Sequence, residues 1–256
     1  MKALLLILAP VLLLPCWMAM DNPSKTKTYP LGMAPDAVDD MYLGCKDEME
    51  KIVNEKFLKL ELEGDFKKAW EDEGVVDCSK QKPDKGDEAL TENHMHAICA
   101  YTSTLVYKQF NKACKTGKDF KFYTLHYWLT TAIQILNPKQ TCQTTYRRNG
   151  SESTGTVGDI IRFGIFASSS YSTEQKSYGT KTCFEIKTCH GAYLKHYSIL
   201  GTKEQEVLIP PYEKFQITKI IVGKGEFDAL PDCEKVFVLK SAGKESWQTM
   251  CNKAKL

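Results

Sequence analysis

The spacing of apolar residues changes midway along the chain, and this change limits the fold more than any other feature. In the first half, apolar positions recur every three or four residues, which predicts helices over 45–64, 91–117 and 120–136. From residue 142 onward, short β-branched and aromatic runs alternate with Gly, Ser, Asn or Pro, as is typical of strands. Helices followed by strands favour an α+β fold, with a helical N-terminal half packed on a mainly antiparallel sheet. The predicted strands are 142–148, 160–166, 182–188, 204–209, 215–222 and 235–239.

Residues 1–20 have the layout of a secretory signal peptide. Lys2 precedes an apolar run of about a dozen residues, which is too short to span a bilayer, and cleavage is expected near Ala19 or Met20. An uncleaved signal anchor is the less favoured alternative. We expect residues 21–256 to form a single domain, because they contain no repeat, low-complexity tract or linker. The chain also ends without the hydrophobic tail of a lipid-anchor signal, so we expect a released, extracellular protein.

The charge balance limits the classes of partner that suit the chain, and the cysteine content indicates disulfides and no metal site. Without Lys2 the chain has 33 basic and 32 acidic residues, which argues against nucleic acid or an anionic membrane as the main partner. Of the ten cysteines, Cys16 would leave with the signal peptide, and most of the other nine should pair in an oxidising compartment, leaving at least one unpaired. We expect no metal, because no CxxC pair with zinc spacing occurs, and His94 and His96 would diverge on a helix.

The segment GTKEQEVLIPPYE, residues 201–213, places two carboxylates one residue apart. In a strand, Glu204 and Glu206 would emerge on the same face, with their α-carbons about 7 Å apart. On its own, such a pair is usually a solvated strand edge. Upstream, however, Arg147 lies at the end of one predicted strand, and Ser168 opens a serine run after another. The sequence thus contains an arginine, a serine cluster and an E-x-E, each on a different β-segment. We refer to these three features together as the constellation.

The order and spacing of this constellation resemble those of the arginine-specific ecto-ADP-ribosyltransferases, the R-S-E class of NAD-dependent mono-ADP-ribosyltransferases. Further stretches that resemble this family extend over nearly the whole mature chain. They are MAPDAVDDMYLGC (33–45), HAICAYT (96–102), VYKQFN (106–111), FYTLH (122–126), LTTAI (129–133), TCHG (188–191) and EVLIPPYE (206–213). The resemblance implies the ADP-ribosyltransferase fold and NAD as a consumed substrate, with no metal.

The resemblance also implies a role for each member of the constellation. Breaking the bond between nicotinamide and ribose gives an oxocarbenium-like transition state, whose charge Glu206 would stabilise. Glu204 would hold and deprotonate the incoming guanidinium, which is otherwise always protonated. Arg147 would bind the NAD pyrophosphate by charge-assisted hydrogen bonds, and Ser168 would orient the catalytic glutamate and the cofactor. Two neighbouring carboxylates should also raise the pKa of one of them.

Other positions carry weaker implications. Tyr101 and Ser198 align with cofactor-contacting residues of the family, although Tyr101 lies on an apolar helix face and suits the core equally well. Arg148 stands where many relatives have Gly, and Ile165 where relatives often have Gln, so both depart from the family pattern. Asn149 begins an N-G-S sequon, which predicts a glycan that points away from the cleft.

The resemblance pairs Cys142 with Cys189, and Cys45 with Cys251. It assigns no partner to the five remaining cysteines of the mature chain. These are Cys78, Cys99, Cys114, Cys183 and Cys233.

The sequence therefore predicts a secreted enzyme that transfers ADP-ribose from NAD to arginine side chains of extracellular proteins and releases nicotinamide. Two alternatives stay open. One is an NAD glycohydrolase, in which water replaces arginine as the acceptor. The other is a relative that binds NAD or protein with little or no turnover.

Overall fold

The computed structural model describes residues 28–64, 66–246 and 250–251. The expected signal peptide and its cleavage site lie outside these residues. In the described part, helices precede a mainly antiparallel sheet, so the predicted α+β class is confirmed. No helix in the same ranges is long and apolar enough to cross a membrane.

The helices follow the predicted regions with two differences. A π-helical turn, Val53–Phe57, joins α1 to α2, so the first prediction corresponds to one continuous helix. The helix predicted over 91–117 is in fact two, because the chain is extended at Ser103, with φ −72° and ψ 162°. Helices α3 and α4 were not predicted. The bounds are α1 Lys46–Ile52, α2 Leu58–Glu61, α3 Phe66–Trp70, α4 Glu73–Ser79, α5 Glu92–Thr102, α6 Tyr107–Thr116 and α7 Tyr123–Leu136.

Eight strands form the large sheet in the order β4-β9-β10-β6-β2-β5-β8-β7, and β1 and β3 form a small parallel pair. Of the neighbours in the large sheet, β10 and β6 are parallel and the other pairs are antiparallel. The bounds are β1 Thr28–Pro30, β2 Gln143–Asn149, β3 Glu152–Thr154, β4 Ile160–Arg162, β5 Ala167–Ser170, β6 Thr182–Thr188, β7 Ala192–Tyr193, β8 Glu206–Ile209, β9 Glu213–Val222 and β10 Lys235–Lys244.

Most predicted strands differ from the observed bounds, and β10 extends to Lys244 beyond its predicted end at residue 239. In two of the strands the backbone gives the reason. The strand predicted over 160–166 ends at Arg162, because Gly164 has a left-handed φ of 65° and turns the chain before β5 begins. The strand predicted from Glu204 begins only at Glu206. Gln205 has a φ of 44°, which extended backbone does not allow.

The largest apolar cluster joins the helices to one region of the sheet. Ile98 of α5 and Trp128 of α7 belong to the same cluster as Phe166 and Leu208, which lie beside and within the strands of the site. Deleting a buried aromatic of this kind typically costs about 3–5 kcal/mol of stability. The helices therefore pack against the region of the sheet that contains strands β5 and β8.

Four disulfides cross-link the fold, and they include both pairs implied by the resemblance. Of the cysteines in residues 28–64, 66–246 and 250–251, Cys114 is the one without a disulfide partner, and its thiol is buried. The disulfides are Cys45–Cys251, Cys78–Cys99, Cys142–Cys189 and Cys183–Cys233.

Candidate active site

Three neighbouring strands bring the predicted site residues together. β2 and β5 share a single residue pair, Tyr146 with Ser170, so these strands diverge and leave a gap between them. Arg147 follows Tyr146 on β2, and Ser168 lies on β5. On the far side of β5, Ser170 pairs with Glu206, the first residue of β8. Residues that are distant in sequence thus meet at one place in the sheet.

Arg147 spans the gap between β2 and β5. Its Nη1 donates a hydrogen bond to the backbone carbonyl of Ser168, with 2.5 Å between nitrogen and oxygen. The side chain is half-buried, and burial lowers the pKa of the guanidinium, while the nearby Glu206 acts in the opposite direction. A guanidinium stays protonated in proteins, so the site contains a fixed positive charge.

Glu206 is the buried carboxylate of the site, with 6% of its surface exposed. Burial, with a smaller contribution from the charge of Glu204, raises its pKa to about 7. A hydrogen bond with the Ser168 side chain and the charge of Arg147 both oppose this increase. The predicted effect of one carboxylate on the other is therefore present, although burial is the larger cause. Glu206 is therefore harder to ionise than an ordinary glutamate.

Glu204 lies in a turn. The prediction that Glu204 and Glu206 emerge on the same face of one strand is therefore wrong. The turn covers residues 201–204, and Gln205 separates it from β8. The Ser170 hydroxyl donates to the carbonyl oxygen of Glu204 at 2.6 Å, which ties the turn to β5. The carboxylate Oε1 accepts a hydrogen bond of 2.9 Å from the Tyr178 hydroxyl. Glu204 therefore reaches the site from a loop, half-buried at its edge.

Tyr101 is part of the protein wall next to the site. It is 3% exposed, and its hydroxyl donates to the Phe166 carbonyl at 2.5 Å and accepts from Asn111 Nδ2 at 2.9 Å. Burial is the main reason that its pKa is raised, and Glu206 contributes. The structure thus supports the core interpretation of this residue, with its hydroxyl engaged by protein groups.

Three other residues singled out in the sequence lie in the turns and sheet around the site. Ser198 is buried, and its hydroxyl oxygen accepts from the backbone N–H of Leu200 at 3.2 Å, which shapes the turn before the glutamates. Ile165 packs on the apolar cluster of the sheet. Asn149 ends β2, and its side-chain oxygen accepts from the Ser151 N–H at 3.0 Å.

Arg148 points to the opposite face of β2 from Arg147, as successive residues of a strand do. It forms a bidentate ion pair with Asp232, with distances of 2.9 and 3.0 Å. It also donates twice to the Thr173 carbonyl, at 2.6 and 3.1 Å. This departure from the family pattern therefore connects β2 to the loop after β5 and to the loop before β10.

The two histidines that could suggest a metal serve the packing of the helices. His94 contacts Thr91 through Nδ1 and Thr131 through Nε2, at 2.8 and 3.1 Å. The Nε2 of His96 lies 2.6 Å from the Trp70 carbonyl. In the described ranges, no group of three or more His, Cys, Asp or Glu side chains is arranged to bind a metal ion.

Sequence reasoning missed Tyr178, which contacts Glu204. It lies in the stretch YSTEQKSYGTK, residues 171–181, which has no hydrophobic periodicity and no motif. With Tyr178 included, the site combines a fixed cation, a buried carboxylate near its pKa and an oriented carboxylate at the edge. Such a site can bind an anionic ligand, stabilise a developing positive charge and receive a cationic acceptor.

Known proteins resemble this chain in both sequence and fold. The family model described as NAD:arginine ADP-ribosyltransferase matches residues 31–228. The chain is 34% identical over 220 residues to T-cell ecto-ADP-ribosyltransferase 1 of Mus musculus, covering 79% of this chain and 73% of that protein. It resembles the crystal structure of the eucaryotic mono-ADP-ribosyltransferase ART2.2, with a TM-score of 0.71, 30% identity, and coverage of 85% and 96% of the two chains. A variant of ART2.2 in complex with NAD gives a TM-score of 0.68 at 29% identity, with the same coverage.

Proposed function

The chain belongs to the NAD:arginine ADP-ribosyltransferase family, and on this premise we propose that it transfers ADP-ribose from NAD to arginine side chains of extracellular proteins. The observation that carries the proposal is the buried carboxylate of Glu206, held beside Arg147 and Ser168. The ART2.2 variant in complex with NAD supports NAD as the substrate. Glu204 at the edge of the same site supports a cationic acceptor.

Arg147 binds the pyrophosphate of NAD in this proposal. Its guanidinium is fixed by the Ser168 carbonyl and offers further N–H donors, which suit bidentate contacts to phosphate oxygens. Ser168 orients Glu206 through its side-chain hydrogen bond. Tyr101 and Ser198 shape the cofactor side of the site from the helix and from the turn.

Glu206 then assists cleavage of the glycosidic bond. The electron pair of the bond leaves with nicotinamide, which becomes neutral, so no general acid is needed. Positive charge develops on the ribose, and the ionised Glu206 stabilises it. Removing one preorganised electrostatic group of this kind typically costs about 3–4 kcal/mol in the transition state.

Glu204 governs the transfer step. A guanidinium nitrogen of the acceptor forms a new bond to the ribose C1′, and the proton it loses passes to the Glu204 carboxylate. Without this carboxylate, the protonated guanidinium is a poor nucleophile, and water is the competing acceptor. The products are ADP-ribosyl-arginine, nicotinamide and a proton.

The same proposal covers the arrangement of the whole chain. Residues 1–20 act as the signal peptide, 21–256 form a single catalytic domain, and the protein is secreted. Asn149 carries the glycan. The name ecto-ADP-ribosyltransferase of the mouse relative supports an extracellular location.

The test is to incubate the purified protein with labelled NAD, with and without the arginine analogue agmatine. We expect ADP-ribosyl-agmatine as the main product, and a minor amount of free ADP-ribose. Hydrolysis that agmatine does not divert would identify a glycohydrolase instead. A protein that forms neither product would be a binding relative, and the proposal would be wrong.

A further inference from the structure

We propose that Tyr178 is a positioning residue that holds the carboxylate of Glu204 toward the acceptor guanidinium. This inference rests on the proposed function and deepens it. The Tyr178 hydroxyl donates to Glu204 Oε1 at 2.9 Å. Oε1 is thereby engaged, and Oε2 is left to accept from the incoming guanidinium.

The main chain around Tyr178 is closely fixed. Tyr178 ends the short 3₁₀ turn Lys176–Tyr178, and its N–H donates to the Gln175 carbonyl at 3.2 Å. The next residue, Gly179, has a φ of 114°, and a Cβ there would lie only 2.4 Å from the backbone nitrogen of Gly150. The loop therefore packs directly against the backbone at the end of β2, where no larger residue fits.

Arg148 fixes the other end of the same loop. Its two hydrogen bonds to the Thr173 carbonyl hold the segment just after β5, and its ion pair with Asp232 holds the guanidinium itself. The Arg148 side chain is 2% exposed, so this contact is shielded from water. Tyr178 is consequently presented by a segment fixed on both sides.

Glu204 needs such a partner because it does not lie in a strand. Its main chain is held by the Ser170 hydroxyl, but the left-handed Gln205 separates it from the regular backbone of β8. A glutamate side chain in a turn has several accessible rotamers, and fixing it costs conformational entropy. The bond from Tyr178 selects one orientation before the acceptor arrives.

The surroundings of Tyr178 agree with this role. It is 54% exposed, so it lies at the open side of the site, where an acceptor must enter. Desolvation, together with Glu204, raises its pKa to about 12, so its hydroxyl remains a proton donor throughout the physiological range. Its phenol group also interacts electrostatically with Arg147 and Glu206.

The test compares Tyr178→Phe with a matched control, Tyr171→Phe. Both variants keep the ring and lose one hydroxyl of the same loop, but the Tyr171 hydroxyl bonds to Gln143 and not to Glu204. We expect Tyr178→Phe to raise the KM for agmatine and lower kcat/KM for transfer about tenfold, as for loss of a hydrogen bond to a charged group. The KM for NAD and the rate of NAD hydrolysis should stay at the wild-type values in both variants.

The inference would be overturned by a Tyr178→Phe variant with the wild-type ratio of transfer to hydrolysis. It would equally be overturned if transfer and hydrolysis fell together, because that result indicates a general structural role. If the wild type itself formed no ADP-ribosyl-agmatine, the proposed function would fail, and this inference with it.

An independent observation concerns the arginines of the chain. The 256 residues contain 31 lysines but only three arginines, Arg147, Arg148 and Arg162. From this we infer that the protein does not ADP-ribosylate its own arginines, because each of the three guanidiniums is held by protein groups. This second inference also rests on the proposed function.

Each of the three guanidiniums is occupied. Arg148 is bound by Asp232, and Arg162, whose side chain is 1% exposed, is bound by Asp39 and by three backbone carbonyls. Arg147 is bonded inside the candidate active site, where it faces the position proposed for NAD. A nucleophilic arginine must leave its partners and reach the cleft of another copy, and for Arg148 and Arg162 this means breaking an ion pair of a buried guanidinium.

The test is the intact mass of the protein after incubation with NAD and agmatine in one vessel. We expect no hydroxylamine-labile ADP-ribose on the wild type while agmatine is modified. The variant carrying Lys67→Arg, Lys80→Arg and Lys176→Arg, whose lysine side chains are 56%, 62% and 57% exposed, should become modified. The same three lysines changed to Gln provide the control.

Arginine-linked ADP-ribose on the wild type would overturn the inference. The inference would also be overturned if the variant with three added arginines stayed unmodified. The lack of accessible arginines would then not be the reason that the wild type is unmodified. Absence of modified agmatine would instead contradict the proposed function.

Discussion

The guanidinium of Arg147 lies 2.5 Å from the carbonyl oxygen of Ser168, across the gap where strands β2 and β5 diverge. This bond places a positive charge beside the residue whose side chain also contacts Glu206. The position of the arginine is thus set by the protein before any ligand binds. Binding NAD then requires little reorganisation, which is how preorganised charges contribute to catalysis.

The pH dependence of NAD cleavage should report the ionisation of Glu206. Only the carboxylate form can stabilise a cationic ribose, and burial raises the pKa of Glu206 to about 7. We therefore expect kcat/KM for NAD to rise with pH below about 7 and to level off above it. The measurement is hydrolysis of labelled NAD from pH 5 to pH 9 in the absence of acceptor.

Glu204→Gln provides the control for this profile. The charge of Glu204 raises the pKa of Glu206, so its removal should move the rising limb to lower pH. A flat profile across pH 5 to 9 would contradict the assignment of Glu206. A limb that moves to higher pH in the variant would contradict the interaction between the two glutamates.

Arg148→Ala should destabilise the fold. The change leaves the Asp232 carboxylate, which is 30% exposed, without its bidentate partner, and frees the loop at Thr173. We expect the free energy of unfolding in urea at pH 7 to fall by about 3 kcal/mol. The exposed ion pair of Lys80 with Asp77 provides a control, since Lys80→Ala should leave the stability unchanged within error.

The difference in stability between wild type and Arg148→Ala should depend on pH. The hydrogen bonds from Arg148 hold the pKa of Asp232 below its ordinary value of 3.8. A carboxyl group whose pKa is lower in the folded state than in the unfolded state stabilises the fold at pH values above its unfolded pKa. This stabilisation is lost as the pH falls through the folded pKa. The difference between wild type and Arg148→Ala should therefore shrink below pH 3.8. A difference that grows on acidification would contradict the ion pair.

Cys114 should be the single titratable thiol in the part of the chain that the structure describes. It is fully buried in α6, and burial raises its pKa well above the ordinary value, so the native protein should not react with a thiol reagent at pH 8. After denaturation without reductant, one thiol per chain should react. Rapid labelling of the native protein, or more than one thiol after denaturation, would contradict the disulfide assignment.

The regular parts of the fold were the most predictable from sequence. Strand β6 has the predicted bounds, Thr182–Thr188, because its residues are β-branched or aromatic at regular positions and turn residues flank them. The separation of α5 from α6 was missed, since the extended Ser103 lies in a segment whose apolar spacing continues through the break. The spacing of apolar residues indicates which side chains share a face of a regular helix or strand. It does not indicate where the backbone breaks that helix or strand.

The candidate site was predictable in its members and not in its geometry. Arg147, Ser168 and Glu206 were identified through their order along the chain, and the sheet brings them together. The location of Glu204 depends on the left-handed φ of Gln205, which no residue type at that position demands. Tyr178 depends on loop contacts between segments remote in sequence, and these have no local pattern.

The central claim is that Glu206 serves the sugar cation and Glu204 the incoming guanidinium. The most direct test is the partition of labelled NAD between ADP-ribosyl-agmatine and free ADP-ribose for wild type, Glu204→Gln and Glu206→Gln. We expect Glu206→Gln to lower both products about 10²–10³-fold, and Glu204→Gln to lose transfer but retain hydrolysis. Equal loss of both products in Glu204→Gln, or hydrolysis retained in Glu206→Gln, would contradict this division of roles.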